Sequence, residues 1–425
     1  MQTLIAVVFT LSLLILFHEF GHFLFAKIFG VRVLRFSLGL GPKIFGFKGG
    51  ETEYMVSWLP FGGYVKLAGM EEGEIKGEPG EFSGKPIWSR ALIIFAGPLH
   101  NFILAAVVFY FVALLFGQQI IGTTVVGKIA PDSPAALAGI QYKDRILSVN
   151  GHTVTHWEEV FERLSSRKEG VNSLKMEREG VMREISLPPS EDFGLIPFIG
   201  PVIGDVESGS PADQAGIQEG DVILSINEER IEEWKDMVEI VHGSPDSLLQ
   251  FEWKRGEEVY SAEIRPKKRQ ALVDGGMKDI GLIGVMMRMD RQVLGPLKSI
   301  RVAIGMTSFI TYRILHFIGQ LFRGEMSVTL LGGPISIVRL TGQSARWGLE
   351  NLMQFVGLLS INLAVFNLFF IPPLDGGYLV FLLLEGIRRK PLSRKAKLIF
   401  QNVGIALLLI MVIFVTFNDI MRIGR

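Results

Sequence analysis

Phe17-His18-Glu19-Phe20-Gly21-His22-Phe23 lies near the end of an apolar run that starts at Leu4 and closes near Phe25. The run is long enough to cross a bilayer as one helix. Ionisable residues inside such a span are costly and are usually functional. His18 and His22, four residues apart, fall on one helix face, one turn from each other. That spacing lets both imidazoles bind one Zn²⁺, while Glu19 reaches the water beside the metal. The competing reading is a polar cluster packed between membrane helices.

Composition agrees with a membrane protein carrying polar inserts. The chain has 425 residues, 48 % of them hydrophobic, with 43 Lys+Arg against 43 Asp+Glu. That balance gives no hint of a nucleic-acid partner. With Cys 0, neither a disulfide nor a thiolate metal ligand exists, so a zinc ion must be held by His, Asp or Glu. Met1-Gln2 offers no basic start to a signal peptide, and cleavage there would discard the pentad, so residues 1–25 read as a retained span.

Four stretches qualify as spans: 4–25, 91–116, 350–370 and 398–417. The segment 297–323 is interrupted by Lys298, Arg301, Arg313 and His316, and reads as an amphipathic helix at the interface. Basic residues crowd the 26–90 and 385–397 loops, which places both in the cytoplasm. The 117–349 insert and both termini then face the other side. The expected fold is therefore a multi-pass α-helical membrane protein with four transmembrane helices, membrane-associated β-hairpins and two tandem α/β domains.

The two tandem domains follow from an internal repeat. Ser133-Pro134-Ala135-Ala136-Leu137-Ala138-Gly139-Ile140 returns as Ser210-Pro211-Ala212-Asp213-Gln214-Ala215-Gly216-Ile217, an offset of 77 residues that Trp157 and Trp234 share. The repeat resembles PDZ domains, which accept an extended peptide along an edge groove. Capture of peptide tails and simple obstruction of access are both open at this stage. The domains are placed at 120–192 and 196–268. Residues 1–116, with the first two spans, precede them; 294–345 (amphipathic helix and linker) and 350–425, with the last two spans, follow. In the 31–70 region, Val31–Phe36, Tyr54–Leu59 and Gly62–Leu67 read as strands, with a turn at Gly49-Gly50. They are expected to form β-hairpins dipping into the membrane near the pentad, with a plain cytoplasmic loop as the alternative.

A third metal ligand is needed, because catalytic zinc commonly takes three protein ligands and a water. Asp375, in Asn367-Leu368-Phe369-Phe370-Ile371-Pro372-Pro373-Leu374-Asp375-Gly376-Gly377, is the strongest candidate. Pro372 and Pro373 end the third span, and the glycines permit tight backbone after the carboxylate. An Asx turn closing the helix is the structural alternative. His22 and Asp375 share a metal only if the first and third spans run in the same direction. His100 competes as a ligand on chemistry alone.

Together these residues resemble the site-2 protease family of intramembrane zinc proteases, over most of the chain and in its bacterial subgroup with two PDZ-like repeats. H-E-x-x-H is complete. The family's N-x-x-P-x-P-x-L-D-G pattern is present with Phe370 in place of the first proline. Its G-P-x-x-N motif is Gly97-Pro98-Leu99-His100-Asn101, and Leu331–Ile337 resembles the segment before the third span. The resemblance implies His18, His22 and Asp375 as zinc ligands and Glu19 as general acid/base. Asn367, Asn101 and Pro372 would lie along the substrate, and a strand edge at Gly63, Tyr64 and Val65 could hold an unwound segment by β-augmentation. It further implies a bacterial inner-membrane enzyme with periplasmic PDZ domains. Its substrates would be single-span membrane proteins of the anti-sigma-factor type, trimmed beforehand, with remnant signal peptides as a second class. Other readings are a membrane scaffold capturing peptide tails, a transporter, and a related metalloprotease with different substrates.

Overall fold

The computed structural model describes residues 2–70, 75–167, 170–190, 192–273, 276–326, 328, 331–390 and 392–423. The chain divides into two compact units, Met1–Phe116 with Leu294–Arg425, and Gly117–Val293.

Helix α1 (Gln2–Ile28) carries the pentad. It stops where Gly30 takes φ +65° and Val31 N–H turns back to the Ala26 carbonyl at 2.7 Å, a left-handed helix ending that suits glycine. Strands β1 (Val33–Gly49) and β2 (Thr52–Leu67) follow, turning at Gly50 with φ +62°. The register splits them into four arms. Val33–Leu38 lies in the middle, with Arg35 opposite Glu53 and Leu38 opposite Val56 on one side. On its other side Phe36 faces Val65 and Leu38 faces Gly63. The segments predicted as separate strands at Tyr54–Leu59 and Gly62–Leu67 both belong to the one strand β2. Gly63–Leu67 becomes an outer arm beside α1, and its root at Val33 and Leu67 is buried with Ala26 and Ile93. Helix α2 (Ile87–Phe116) runs back along α1, since Gly21 meets Ala96 while His18 meets Asn101.

The second unit contains the repeats. It runs β3 (Gln118–Ile120), α3 (Pro134–Leu137), β4 (Arg145–Val149), β5 (His152–Thr153), α4 (Trp157–Ser165), β6 (Asn172–Arg178) and β7 (Val181–Leu187). Then come β8 (Ile203–Val206), α5 (Pro211–Gln214), β9 (Val222–Ile226), β10 (Glu229–Arg230), α6 (Trp234–Gly243), β11 (Leu249–Arg255) and β12 (Glu258–Ile264). It ends with β13 (Lys267–Val273), β14 (Gly276–Leu282), β15 (Val285–Met287) and β16 (Asp290–Gln292). The two main sheets have matching orders, β5-β4-β6-β7 and β10-β9-β11-β12. Each short helix is capped by the serine that opens its motif: Ser133 Oγ accepts from Ala136 N–H and Ser210 Oγ from Asp213 N–H, both at 3.2 Å. The two cores extend past the sequence-derived ends at 192 and 268. Phe193 and Leu195 complete the first and Ile283 the second, because the chain must return to cover α3 and α5. The β13–β14 hairpin lengthens that return in the second repeat only.

The first unit resumes with α7 (Pro296–Phe322), α8 (Pro334–Arg346), α9 (Leu349–Asn367), α10 (Asp375–Arg388) and α11 (Arg394–Ile423). Ser360 Oγ donates to the Asn101 carbonyl at 2.7 Å, and Gly357 lies against Phe109, so α9 is antiparallel to α2 and parallel to α1. The shared direction required of the first and third spans is present. Five helices among the described residues are long and apolar enough to cross a membrane, where the sequence predicts four. The addition is α7. Its mean hydropathy of 1.3 is the lowest of the five, because basic residues punctuate its polar face, while Ala303 on its other face is buried with Phe109 and Ile361. Helices α8 and α10 stand where the sequence predicts a linker and a loop. The third span stops at Asn367, short of residue 370. Pro372 can neither donate to the Leu368 carbonyl nor leave room for it within a helix.

Candidate metal centre

Helix α1 presents His18 and His22 on one face, their ring centroids 4.9 Å apart. Asp375 arrives as the first residue of α10, after an extended Leu374 with φ −68° and ψ 160°. His18 Nε2 lies 3.1 Å from Asp375 Oδ2, His22 Nε2 lies 3.5 Å from Asp375 Oδ1, and the two Nε2 atoms are 3.3 Å apart. One ligand atom from each residue falls within 4.8 Å of the others. No Lys or Arg pairs with Asp375 at ion-pair distance among the described residues, and its Oδ2 is buried without a hydrogen-bond partner despite the nearby imidazole. The short distance therefore lacks hydrogen-bond geometry. Two imidazole nitrogens and a carboxylate that converge this closely suit a shared cation. Two nitrogens and one carboxylate are a donor set that zinc accepts in catalytic sites.

The ring of His22 is oriented by α2. Its Nδ1 lies 2.9 Å from the Ile93 carbonyl, which can only accept, so Nδ1 carries the proton and Nε2 keeps its lone pair toward the cluster. Helix α2 approaches this closely because residue 97 is glycine. A Cβ on Gly97 would overlap His22 Nε2 and lie 2.9 Å from His18 Cε1. A Cβ on Gly21 would overlap the Ala96 carbonyl and lie 2.8 Å from His100 Nδ1. Small residues on both faces let the two helices touch backbone to backbone.

Residues 6–411 match the model of peptidase family M50. The chain belongs to that family, the site-2 proteases. A Neisseria meningitidis chain bearing a zinc-metalloprotease name is 35 % identical, covering 99 % of each chain. The regulator of sigma E protease of Haemophilus influenzae is 32 % identical over 97 % of each, and the regulator of sigma-W protease of Bacillus subtilis 31 % over 99 % of each. A PDZ domain of an SdrC-like protein from Listeria monocytogenes covers 22 % of this chain and 90 % of its own at 19 % identity and a TM-score of 0.18, too low to bear on the fold. This site-2 protease is a zinc metalloendopeptidase of the regulated intramembrane class and a multi-pass membrane protein.

The remaining sequence-derived residues of the protease take different places. Asn367 Nδ2 lies 3.5 Å from both ring nitrogens of His18, at the last turn of α9. Asn101 is fully buried, with Nδ2 3.2 Å from His18 Nδ1. Pro372 belongs to the 368–374 loop, which three glycines admit. A Cβ on Gly376 would overlap the Leu368 and Phe369 carbonyls, one on Gly377 the Pro372 nitrogen, and one on Gly404 of α11 the Pro372 carbonyl. Phe370, where the family pattern has proline, is 78 % exposed, so the loop does not depend on its packing. Gly63 lies against the turn of α1 that carries Glu19, where a Cβ would come within 3.0 Å of Glu19 Cγ. The Tyr64 hydroxyl instead accepts from Arg35 Nη1 at 3.2 Å, within the sheet. His100 stays outside the cluster: its Nδ1 donates to the Ala96 carbonyl at 2.9 Å and its ring stacks edge-on to Phe20 and Phe25. Sequence reasoning reaches Gly97 only as part of the G-P-x-x-N motif and does not single out Gly21 or the Ile93 carbonyl. The one signal is Gly97-Pro98 inside an apolar helix, where neither residue favours helix on its own account.

Proposed function

We propose that His18, His22 and Asp375 hold the zinc ion of this protease and that Glu19 is its general acid/base. The observation that carries this is the convergence of one ligand atom each from His18, His22 and Asp375 within 4.8 Å of one another, with Glu19 next to His18 on the same helix. A zinc ion there supplies Lewis acidity toward a scissile carbonyl and an acidified water. Glu19 takes a proton from the attacking water and returns it to the leaving amine. The outer arm Gly63-Tyr64-Val65 receives the unwound substrate segment by strand addition. Asn367 and Pro372 bound the substrate on the other side.

The substrates in this reading are single-span membrane proteins of the anti-sigma-factor type, already trimmed outside the membrane. The names of the Haemophilus and Bacillus relatives, regulators of sigma E and sigma W, support it. Remnant signal peptides are the second class. The two repeats, 120–192 and 196–268, are PDZ domains on the periplasmic side that hold back untrimmed proteins, and the 26–90 and 385–397 loops are cytoplasmic. The test compares the wild-type protein with Glu19→Gln on a truncated single-span substrate in membranes, with zinc quantified in both. Cleavage should fall roughly 10²–10⁴-fold with zinc retained. Unchanged cleavage would remove Glu19 from the chemistry.

A further inference from the structure

Asn101 and the metal pair pose a problem of hydrogen-bond accounting. A neutral imidazole has one N–H and one lone pair. If His18 offers the Nε2 lone pair to a cation shared with His22 and Asp375, its proton sits on Nδ1. Nδ1 then needs an acceptor, and the atom 3.2 Å away is assigned as the Asn101 amide nitrogen. At the same time Asn101 Oδ1 is buried and has no hydrogen-bond partner. Two donors would face each other while an acceptor stands idle. Amide oxygen and nitrogen are nearly the same size, and their assignment follows the hydrogen-bond network. A half-turn of the amide leaves the packing unchanged and places Oδ1 against Nδ1–H.

We propose that Asn101 is a positioning residue for zinc: its Oδ1 accepts the His18 Nδ1–H bond, fixing the tautomer and ring orientation that aim Nε2 at the metal. The inference rests on the metal-ligand reading given above. It departs from a substrate role for Asn101. The side chain is 0 % exposed, and its backbone carbonyl is pinned by the Ser360 hydroxyl at 2.7 Å. The arrangement also makes the two histidines equivalent. Helix α2 holds the far nitrogen of each, that of His22 through the Ile93 carbonyl and that of His18 through the Asn101 amide. Partners of this kind commonly change metal affinity about 10–100-fold. Asn367 does not replace it, because its amide sits 3.5 Å from both ring nitrogens and selects neither.

The experiment measures zinc affinity of the full-length protein in detergent against a chelating competitor, for wild type, Asn101→Leu, Asn101→Asp and His18→Ala. Asn101→Leu keeps the volume and loses the acceptor, and should weaken zinc binding about 10–100-fold. Asn101→Asp keeps an acceptor and should restore it. With saturating zinc, the KM of a truncated substrate should be unchanged in Asn101→Leu. Wild-type zinc affinity in Asn101→Leu with a raised KM would overturn the proposal in favour of a substrate contact. Equal weakening in Leu and Asp variants would overturn it in favour of a packing role. Should His18→Ala itself bind zinc like wild type, the metal-ligand reading fails first, and the two failures are thereby told apart.

Discussion

Asp144 and Asp221 in the two repeats, and Asp375 in the helical unit, are carboxylates taken out of water under different terms. Asp144 accepts from Arg178 Nε and Nη2, both at 2.6 Å, and from Gln141 N–H at 2.8 Å. Asp221 does the same with Arg255, at 2.8 and 2.7 Å, and with Gln218 N–H at 2.9 Å. Each guanidinium also donates to a loop carbonyl, Gly139 or Gly216. These carboxylates are satisfied by their own fold, and they staple a loop to a strand. Asp375 Oδ2 lies 3.1 Å from His18 Nε2 and has no hydrogen-bond partner. A buried carboxylate oxygen without a hydrogen bond is expensive. Its place beside two imidazoles fits the cation site proposed above. Burial of charge alone therefore does not reveal function; the state of its hydrogen bonds does.

That contrast can be broken at either end. The largest effect is expected from Asp375→Ala, which should take zinc content from stoichiometric toward zero and cleavage to background, while the repeats melt as before. Zinc retained by this variant would place the metal elsewhere. Asp221→Ala should act in reverse. It strands Arg255 and should destabilise the second repeat by about 3 kcal/mol, read by denaturant unfolding of the region, with zinc content unchanged. Gly97→Ala comes next. Its methyl would overlap His22 Nε2, and overpacking of this kind typically costs about 1–3 kcal/mol. Zinc affinity should fall, whereas Gly305→Ala on α7, with nothing within 4 Å of its Cβ, should leave it unchanged. Equal behaviour of the two glycine variants would remove the close helix crossing as a cause. The smallest effect belongs to Glu257→Ala. Its carboxylate pairs with Lys254 at 3.2 Å but is 97 % exposed, so no shift in melting temperature should be resolvable.

Local chemistry made much of the centre legible. The spacing of His18 and His22 fixes a shared face in any helix, and the surrounding apolar run leaves helix as the only sensible backbone. Asp375 was visible as a carboxylate that follows prolines at the end of an apolar span. The repeat was visible because Ser-Pro and Ala-Gly-Ile return at a fixed offset. Other features needed the folded chain. Helix α10 begins on Asp375 itself, yet the Pro-Pro and Gly-Gly around it read as a loop. The four arms of β1 and β2 could not be read from periodicity, because one strand serves two partners. His100, a ligand candidate on chemistry, is turned away by its bond to the Ala96 carbonyl.

The sequence by itself determined which side chains have metal chemistry, that two of them share a helix face, and that the insert holds one motif twice. These are properties of neighbours along the chain, and helix geometry carries them into space. Only the tertiary structure decided that Gly97 admits α2 to His18 and His22, that the Ile93 carbonyl and the Asn101 amide lie against their far nitrogens, and that the Gly63–Leu67 arm lies beside Glu19. Each depends on which backbone atoms from distant segments come within hydrogen-bond reach. That is set by helix packing and sheet register, which no local pattern encodes.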